Sequence, residues 1–232
     1  MPIPVIEPYP MPTAQDVPAG RAKWTIRADR AVLLVHDMQR YFLKAFPPHQ
    51  APVTELVENT GRVRDACAAH GIPVVYTAQP GDMTPQERGL LADFWGPGMR
   101  AVQEDREIAD RVAPTAGDTV LTKWRYSAFT RTDLLRLMRD NDRDQLIICG
   151  VYAHIGCLMT ACEAFSLDIK PFLVADATAD FSAAHHRMAL TYAAQRAAAV
   201  RSTAAVLADL ADQEPAGHTP PSPTTERNRT CP

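Results

Sequence analysis

Residues 31–36 read AVLLVH, a run with no polar alternation before its final histidine. A strand with one wet face alternates apolar and polar side chains. A run that is apolar throughout fits a strand covered on both faces, as in a parallel sheet. Parallel neighbours cannot be joined by a tight turn and need a crossover, usually a helix. The next segment supplies one. In TELVENTGRVRDACAAHG (54–71), Leu56, Val57, Val63, Ala66 and Cys67 fall on one helical face, and Gly71 suits the C-cap. IPVVYTAQ (72–79) is then a second strand. After an irregular stretch holding GDMT and FWGPGM, the alternation resumes with strand TVLTK (119–123) and helix TRTDLLRLMRDN (130–141), which Thr130 or Thr132 could cap. Strand DQLIICG (144–150) follows, then helix CLMTACEAFSLD (157–168) and strand KPFLVADA (170–177). Helix AAHHRMALTYAAQRAA (183–198), a short strand AAVRS (198–202) and a last helix near 203–212 complete the pattern.

This alternation predicts an α/β fold: three layers, doubly wound and Rossmann-like, with a mostly parallel six-stranded sheet and helices on both faces. One domain over residues 28–212 is expected, with no internal repeat. Residues 1–27, where proline recurs, are expected to form an extended arm, and residues 213–232, rich in Pro and Thr, a disordered tail. The N-terminus has neither the basic start nor the apolar run of a signal peptide, and no stretch nears the roughly 20 apolar residues of a membrane span. The chain of 232 residues is 46% hydrophobic and 22% charged, with formal net charge -3. That balance gives no general attraction to nucleic acid or to anionic membranes. The five cysteines (Cys67, Cys149, Cys157, Cys162 and Cys231) are odd in number and lack C-x-x-C spacing. A reduced cytoplasmic protein without disulfides or structural zinc is the expectation.

In doubly wound folds ligands sit beyond the carboxyl ends of the strands. That rule selects His36-Asp37, Thr77–Gln79, Thr122-Lys123 and Val151–Gly156. Asp37 and Lys123, from different strands, form a candidate site if they converge, and a structural ion pair otherwise. Gln79 and Arg88 belong to the same edge. Arg88 can grip a carboxylate bidentately, or it is a solvated charge. Trp95, among glycines and a proline, either covers a pocket or fills core. His36, His154, His185 and His186 lack metal-binding spacing, so no metal is expected. Without a Walker motif or a G-x-G-x-x-G after a strand, no nucleotide cofactor is expected either. Cys157 lies where a strand hands over to a helix, a place where amides lower a thiol pKa. It is a nucleophile or a small buried side chain.

These strand ends, in order, resemble the isochorismatase-like hydrolase superfamily, and within it the isochorismatases. The likeness rests on LLVHDMQRYF, VVYTAQPG, LLADFWGPGMR, LTKWRYSAF, GVYAHIGCLMTACEAF and DIKPFLVADATADFS, and runs over residues 3–210. Amidases of that superfamily use an Asp, a Lys and a nucleophilic Cys. The matching Cys position is Gly156 here, so Cys157 comes one residue late. One residue on a helix is about 100° of rotation, which turns the thiol away from the Asp37-Lys123 pair and into the core.

The resemblance implies hydrolysis of the vinyl ether of isochorismate to 2,3-dihydro-2,3-dihydroxybenzoate and pyruvate, with no cofactor. Asp37 would be the general acid, with Lys123 and Gln79 placing the substrate. Arg88 would bind a carboxylate and Tyr152 would hydrogen-bond the substrate. Gly156 would leave room where amidases carry sulfur, and Phe42 and Trp95 would wall the ring. A cis peptide between Val151 and Tyr152 is also implied. A general acid needs its proton near neutral pH, which burial favours and a neighbouring ammonium opposes.

The alternative substrate is 2-amino-2-deoxyisochorismate, giving 2,3-dihydro-3-hydroxyanthranilate for phenazines. GCLMTACEAF leans towards the siderophore branch, while HHRMAL and the short chain lean towards the phenazine branch. Nothing after residue 212 suggests a fused aryl carrier domain, so a carrier would be a separate protein. A homo-oligomer, as a dimer, is implied as well. A cysteine amidohydrolase using Cys157, or a binding protein without catalysis, are the remaining readings.

Overall fold

A computed structural model describes residues 3–213. The sheet is built from β1 (Ala31–His36), β2 (Val74–Ala78), β3 (Thr119–Thr122), β4 (Gln145–Val151), β5 (Lys170–Ala179) and β6 (Ala199–Arg201). Its order is β3-β2-β1-β4-β5-β6, and every neighbouring pair is parallel. The order reverses at β1/β4, which opens a crevice at their carboxyl ends.

The helices are α1 (Arg40–Leu43), α2 (Val53–Ala69), α3 (Pro85–Arg88), α4 (Leu91–Trp95), α5 (Gln103–Arg106), α6 (Leu134–Asp140), α7 (Leu158–Ser166), α8 (Ala183–Arg196) and α9 (Thr203–Ala211). Every residue of β1 is buried, and alternate side chains serve different layers. Leu33 and Val35 join Leu56, Val63 and Cys67 of α2 with Val206 and Leu210 of α9. Val32 and Leu34 face Leu134 and Met138 of α6, Leu158 and Ala161 of α7, and Leu190 and Ala193 of α8. Each fully buried Leu or Val stabilises the fold by about 1.5–3 kcal/mol, so the sheet is held from both sides.

Two expectations shift. The helix expected from Thr130 does not begin there: Arg131 takes φ 59, and Thr132 Oγ1 accepts from the Leu134 amide at 3.2 Å. Helix α6 therefore starts at Leu134, with Asp133 as N-cap. On α2, Val57 and Ala66 are only half-buried and Thr60 and Gly61 lie in the core face. The expected Gly71 follows the C-cap His70 at φ 65. The arm, described over residues 3–27, lies against the body. Ile6, Tyr9 and Ile26 are buried, and the Ile6 amide donates to the Ala45 carbonyl at 2.9 Å. The expected tail lies outside the described residues. Among those described, no helix is long and apolar enough to cross a membrane.

Candidate active site

Asp37 follows β1 directly, at the crevice where the sheet order reverses. Thr77, near the end of β2, donates its hydroxyl to Asp37 Oδ1 at 2.6 Å, and its Oγ1 accepts from the Asp37 amide at 3.1 Å. Lys123 follows β3, two strands away. Strands stand roughly 5 Å apart, so only a long side chain can cross the end of β2. The lysine does so, and Nζ donates to Asp37 Oδ2 at 3.1 Å. Asp37 is 5% and Lys123 2% exposed. The ammonium is therefore in direct contact with the carboxylate.

Gln79 extends from β2. Its main chain is held on both sides by Gln39, whose Oε1 accepts from the Gln79 amide at 2.7 Å and whose Nε2 donates to the Gln79 carbonyl at 3.0 Å. The Gln79 side-chain Oε1 accepts from Arg88 Nη1 at 3.4 Å. Arg88 ends α3, a single turn started by Thr84, and its Nε donates to the Gly96 carbonyl at 2.9 Å. It is buried, not solvated. Trp95 ends α4. Its indole N–H donates to the Tyr126 hydroxyl at 2.8 Å, and its ring meets Phe181 edge-on at 5.9 Å.

The peptide between Val151 and Tyr152 is cis. The Tyr152 ring packs between Phe42, Phe46 and Phe181, and its hydroxyl donates to the Phe42 carbonyl at 2.7 Å. The hydroxyl expected to meet substrate thus already has an acceptor in the wall. Beyond Tyr152 the chain makes a π-type turn over Ala153–Cys157 before α7. Asp180, at the end of β5, pins this turn by accepting from the His154 amide and bonding His154 Nδ1, each at 2.6 Å.

Gly156 faces the pocket, but the space beside it is not empty. A Cβ there would fall on His36 Cε1 and within 2.7 Å of Nε2. Cys157 points into the layer of Val32, Leu158 and Ala161 and is fully buried. Burial pushes its thiol well above the ordinary range. Burial, then the neighbouring Lys123 charge, lowers the His36 pKa to about 4, so the ring is neutral at pH 7.

Asp37, Lys123, Gln79, Arg88, Phe42, Trp95, Tyr152 and Gly156 line one pocket. Sequence reading missed others there. Arg125 and Tyr126 sit inside the quoted KWRYSAF, where a charge beside Lys123 was the available signal. Phe181 sits near the end of the quoted DIKPFLVADATADFS, whereas Ile3 of the arm gave no signal at all. Among the described residues, Arg88 and Arg125 bond only neutral oxygens, Arg125 donating to the Glu87 and Trp124 carbonyls at 2.7 and 2.6 Å. The pocket thus sets Lys123, Arg88 and Arg125 against the carboxylate of Asp37 and suits a ligand with more than one negative charge. Among the described residues no group of three or more His, Cys, Asp or Glu could hold a metal ion.

A family model for the isochorismatase domain matches residues 31–205. Phenazine biosynthesis protein PhzD1 of Pseudomonas aeruginosa is 58% identical over 205 residues, 88% of this chain and 98% of that protein. An isochorismatase of Bacillus subtilis is 56% identical over 210 residues, covering 90% of this chain and 67% of that one. A solved cysteine hydrolase of Pseudomonas syringae superposes with TM-score 0.75 at 25% identity, over 84% of this chain and 98% of the other.

Proposed function

The chain belongs to the isochorismatase family of hydrolases, and from that premise we propose that it cleaves the vinyl ether of isochorismate. The products are 2,3-dihydro-2,3-dihydroxybenzoate and pyruvate. One observation carries the reading. Among the described residues, the pocket lining holds a buried carboxylate and an excess of cations within aromatic walls, and no cysteine, serine or threonine. Such a site is poor in nucleophiles and rich in means to bind a dicarboxylate and move a proton.

Asp37 gives its proton to the terminal methylene carbon of the enolpyruvyl group. The ether oxygen shares the positive charge left on the adjacent carbon, and water adds there, returning a proton to Asp37. The resulting hemiketal breaks its bond to the ring oxygen and releases pyruvate and the ring diol. Lys123 and Gln79 draw the enolpyruvyl carboxylate, which competes with Asp37 for the ammonium; Asp37, freed from its counterion and facing the substrate's negative charge, takes up a proton from solvent and so enters the step as the acid. Arg88, with Arg125 behind it, takes a carboxylate. Phe42, Trp95 and the face of Tyr152 hold the ring, and Gly156 forms the floor.

The second reading is 2-amino-2-deoxyisochorismate as substrate, giving 2,3-dihydro-3-hydroxyanthranilate. The likeness to PhzD1 over 98% of that protein favours it. The isochorismate reading brings an aryl carrier as partner. Self-association as a dimer belongs to the proposal and is supported by Met159, Phe165, Met188 and Tyr192, left exposed on α7 and α8. The free thiols of Cys67, Cys149, Cys157 and Cys162 fit a reducing cytoplasm.

Coupled measurement of pyruvate release from both compounds tests the reading. A preference of about 100-fold in kcat/KM, about 2.7 kcal/mol of transition-state binding, names the substrate. Absence of pyruvate from either compound overturns the vinyl-ether assignment.

A further inference from the structure

The imidazole of His36 stands where a nucleophilic side chain at position 156 would have to stand. A Cβ built on Gly156 falls on Cε1 of His36 and lies 2.7 Å from Nε2 and 3.0 Å from Nδ1. Contacts that close require one partner to move, and the imidazole is not free to do so. It is buried, its Nδ1 bonds the Val151 carbonyl at 2.8 Å, and its Nε2 faces the Tyr126 carbonyl at 3.4 Å. A neutral ring donates one N–H, and the shorter contact assigns it to Nδ1. An aliphatic residue of similar size would leave the buried Val151 carbonyl without this donor.

We infer that His36 is the specificity-determining residue that closes the nucleophile position, so that His36 and Gly156 together commit this pocket to hydrolysis without a covalent intermediate. The inference deepens the proposed vinyl-ether reading and rests on it for its meaning. The glycine alone would leave a gap beside Asp37 and Lys123 that a thiol or a water could enter. The histidine occupies that gap, 3.7 Å from Asp37 Oδ2. The carboxylate and ammonium then have only the bound substrate to act on.

The test needs no substrate, so its outcome is separate from the pyruvate assay. In a Cys157→Ala background, Gly156→Ala, His36→Ala and the double variant are melted. Gly156→Ala is expected to lower the midpoint clearly when His36 is present and much less when it is combined with His36→Ala, the non-additivity expected of side chains in contact. Equal loss in both backgrounds overturns the inference. Gly156→Cys is then made with and without His36→Ala and treated with iodoacetamide under native conditions. Alkylation transfers the acetamide group to the sulfur, with iodide leaving and the thiol proton passing to solvent. Alkylation at residue 156, read by peptide mass, is expected to be about tenfold faster or more in the double variant, where the thiol has room beside Lys123. Equal rates overturn the assignment. If Gly156→Cys alone does not fold, recovery of folded protein on adding His36→Ala supports it, and failure to recover overturns it.

Discussion

Asp37 takes φ 49, a left-handed conformation that aspartate tolerates better than most residues. It is held there by Thr77 and neutralised by Lys123. Removing one member of a buried ion pair strands the other, which costs about 3–5 kcal/mol, whereas replacing both can be nearly neutral. Asp37→Asn keeps an acceptor for the Thr77 hydroxyl but loses both the acid and the counterion. It is expected to lower kcat by about 10²–10⁴-fold and to depress the urea midpoint. The double variant Asp37→Asn/Lys123→Met is expected to regain most of the stability and none of the activity. Stability and turnover that recover together in the double variant would show that the pair is structural and the acid lies elsewhere.

The passage from β4 into α7 places the pocket floor, and its tightest approach to backbone is at Gly150. It takes φ 115, pairs with His36 of β1, and a Cβ there would fall on the His36 carbonyl oxygen, which is backbone and cannot swing away. Gly117 has a similar φ of 104 with open space around its Cβ direction, so it isolates the conformational cost. Gly117→Ala is expected to cost about 1–3 kcal/mol. Gly150→Ala, which adds the collision, is expected to exceed about 4 kcal/mol and to yield little folded protein. Similar melting curves for the two would remove the argument.

At this scale the sequence is readable wherever one element decides the matter. β1, β2 and β4 are largely apolar runs, and the strand-end rule finds Asp37, Gln79 and Lys123 because it depends only on where strands stop. Helices α3, α4 and α5 are one-turn pieces too short for any periodicity. The π-type turn before α7 depends on Asp180, 26 residues beyond His154. The filling of the Gly156 site by His36 depends on two strands lying side by side, which neither segment reveals alone.

Across the whole molecule, the arm and the sheet edge are joined through buried polar groups remote in sequence. Residues 3–27 precede the family-matched segment 31–205, yet Ile3 reaches the pocket wall. The Tyr9 hydroxyl accepts from the Asp180 amide at 2.7 Å and meets His186 Nδ1 at 3.3 Å. His186 Nε2 faces the Ala175 carbonyl at 3.0 Å, so its ring, like that of His36, is enclosed on both sides. Burial lowers the His186 pKa, as it does that of His36, to about 4 from 6.5. A base whose pKa is depressed on folding binds fewer protons when folded. Its stabilising contribution is therefore present above pH 6.5 and is lost as pH falls towards 4. The interval from pH 6 to 5 lies between the ordinary and the lowered pKa of both rings. Unfolding free energy from urea titrations is expected to fall by about 2 kcal/mol per pH unit there, close to one proton for each ring. His186→Gln removes one of the two protons, so it is expected to halve that slope whatever it does to stability at pH 7. An unchanged slope in that variant would mean His186 is protonated in the folded protein and the arm closes over a charge.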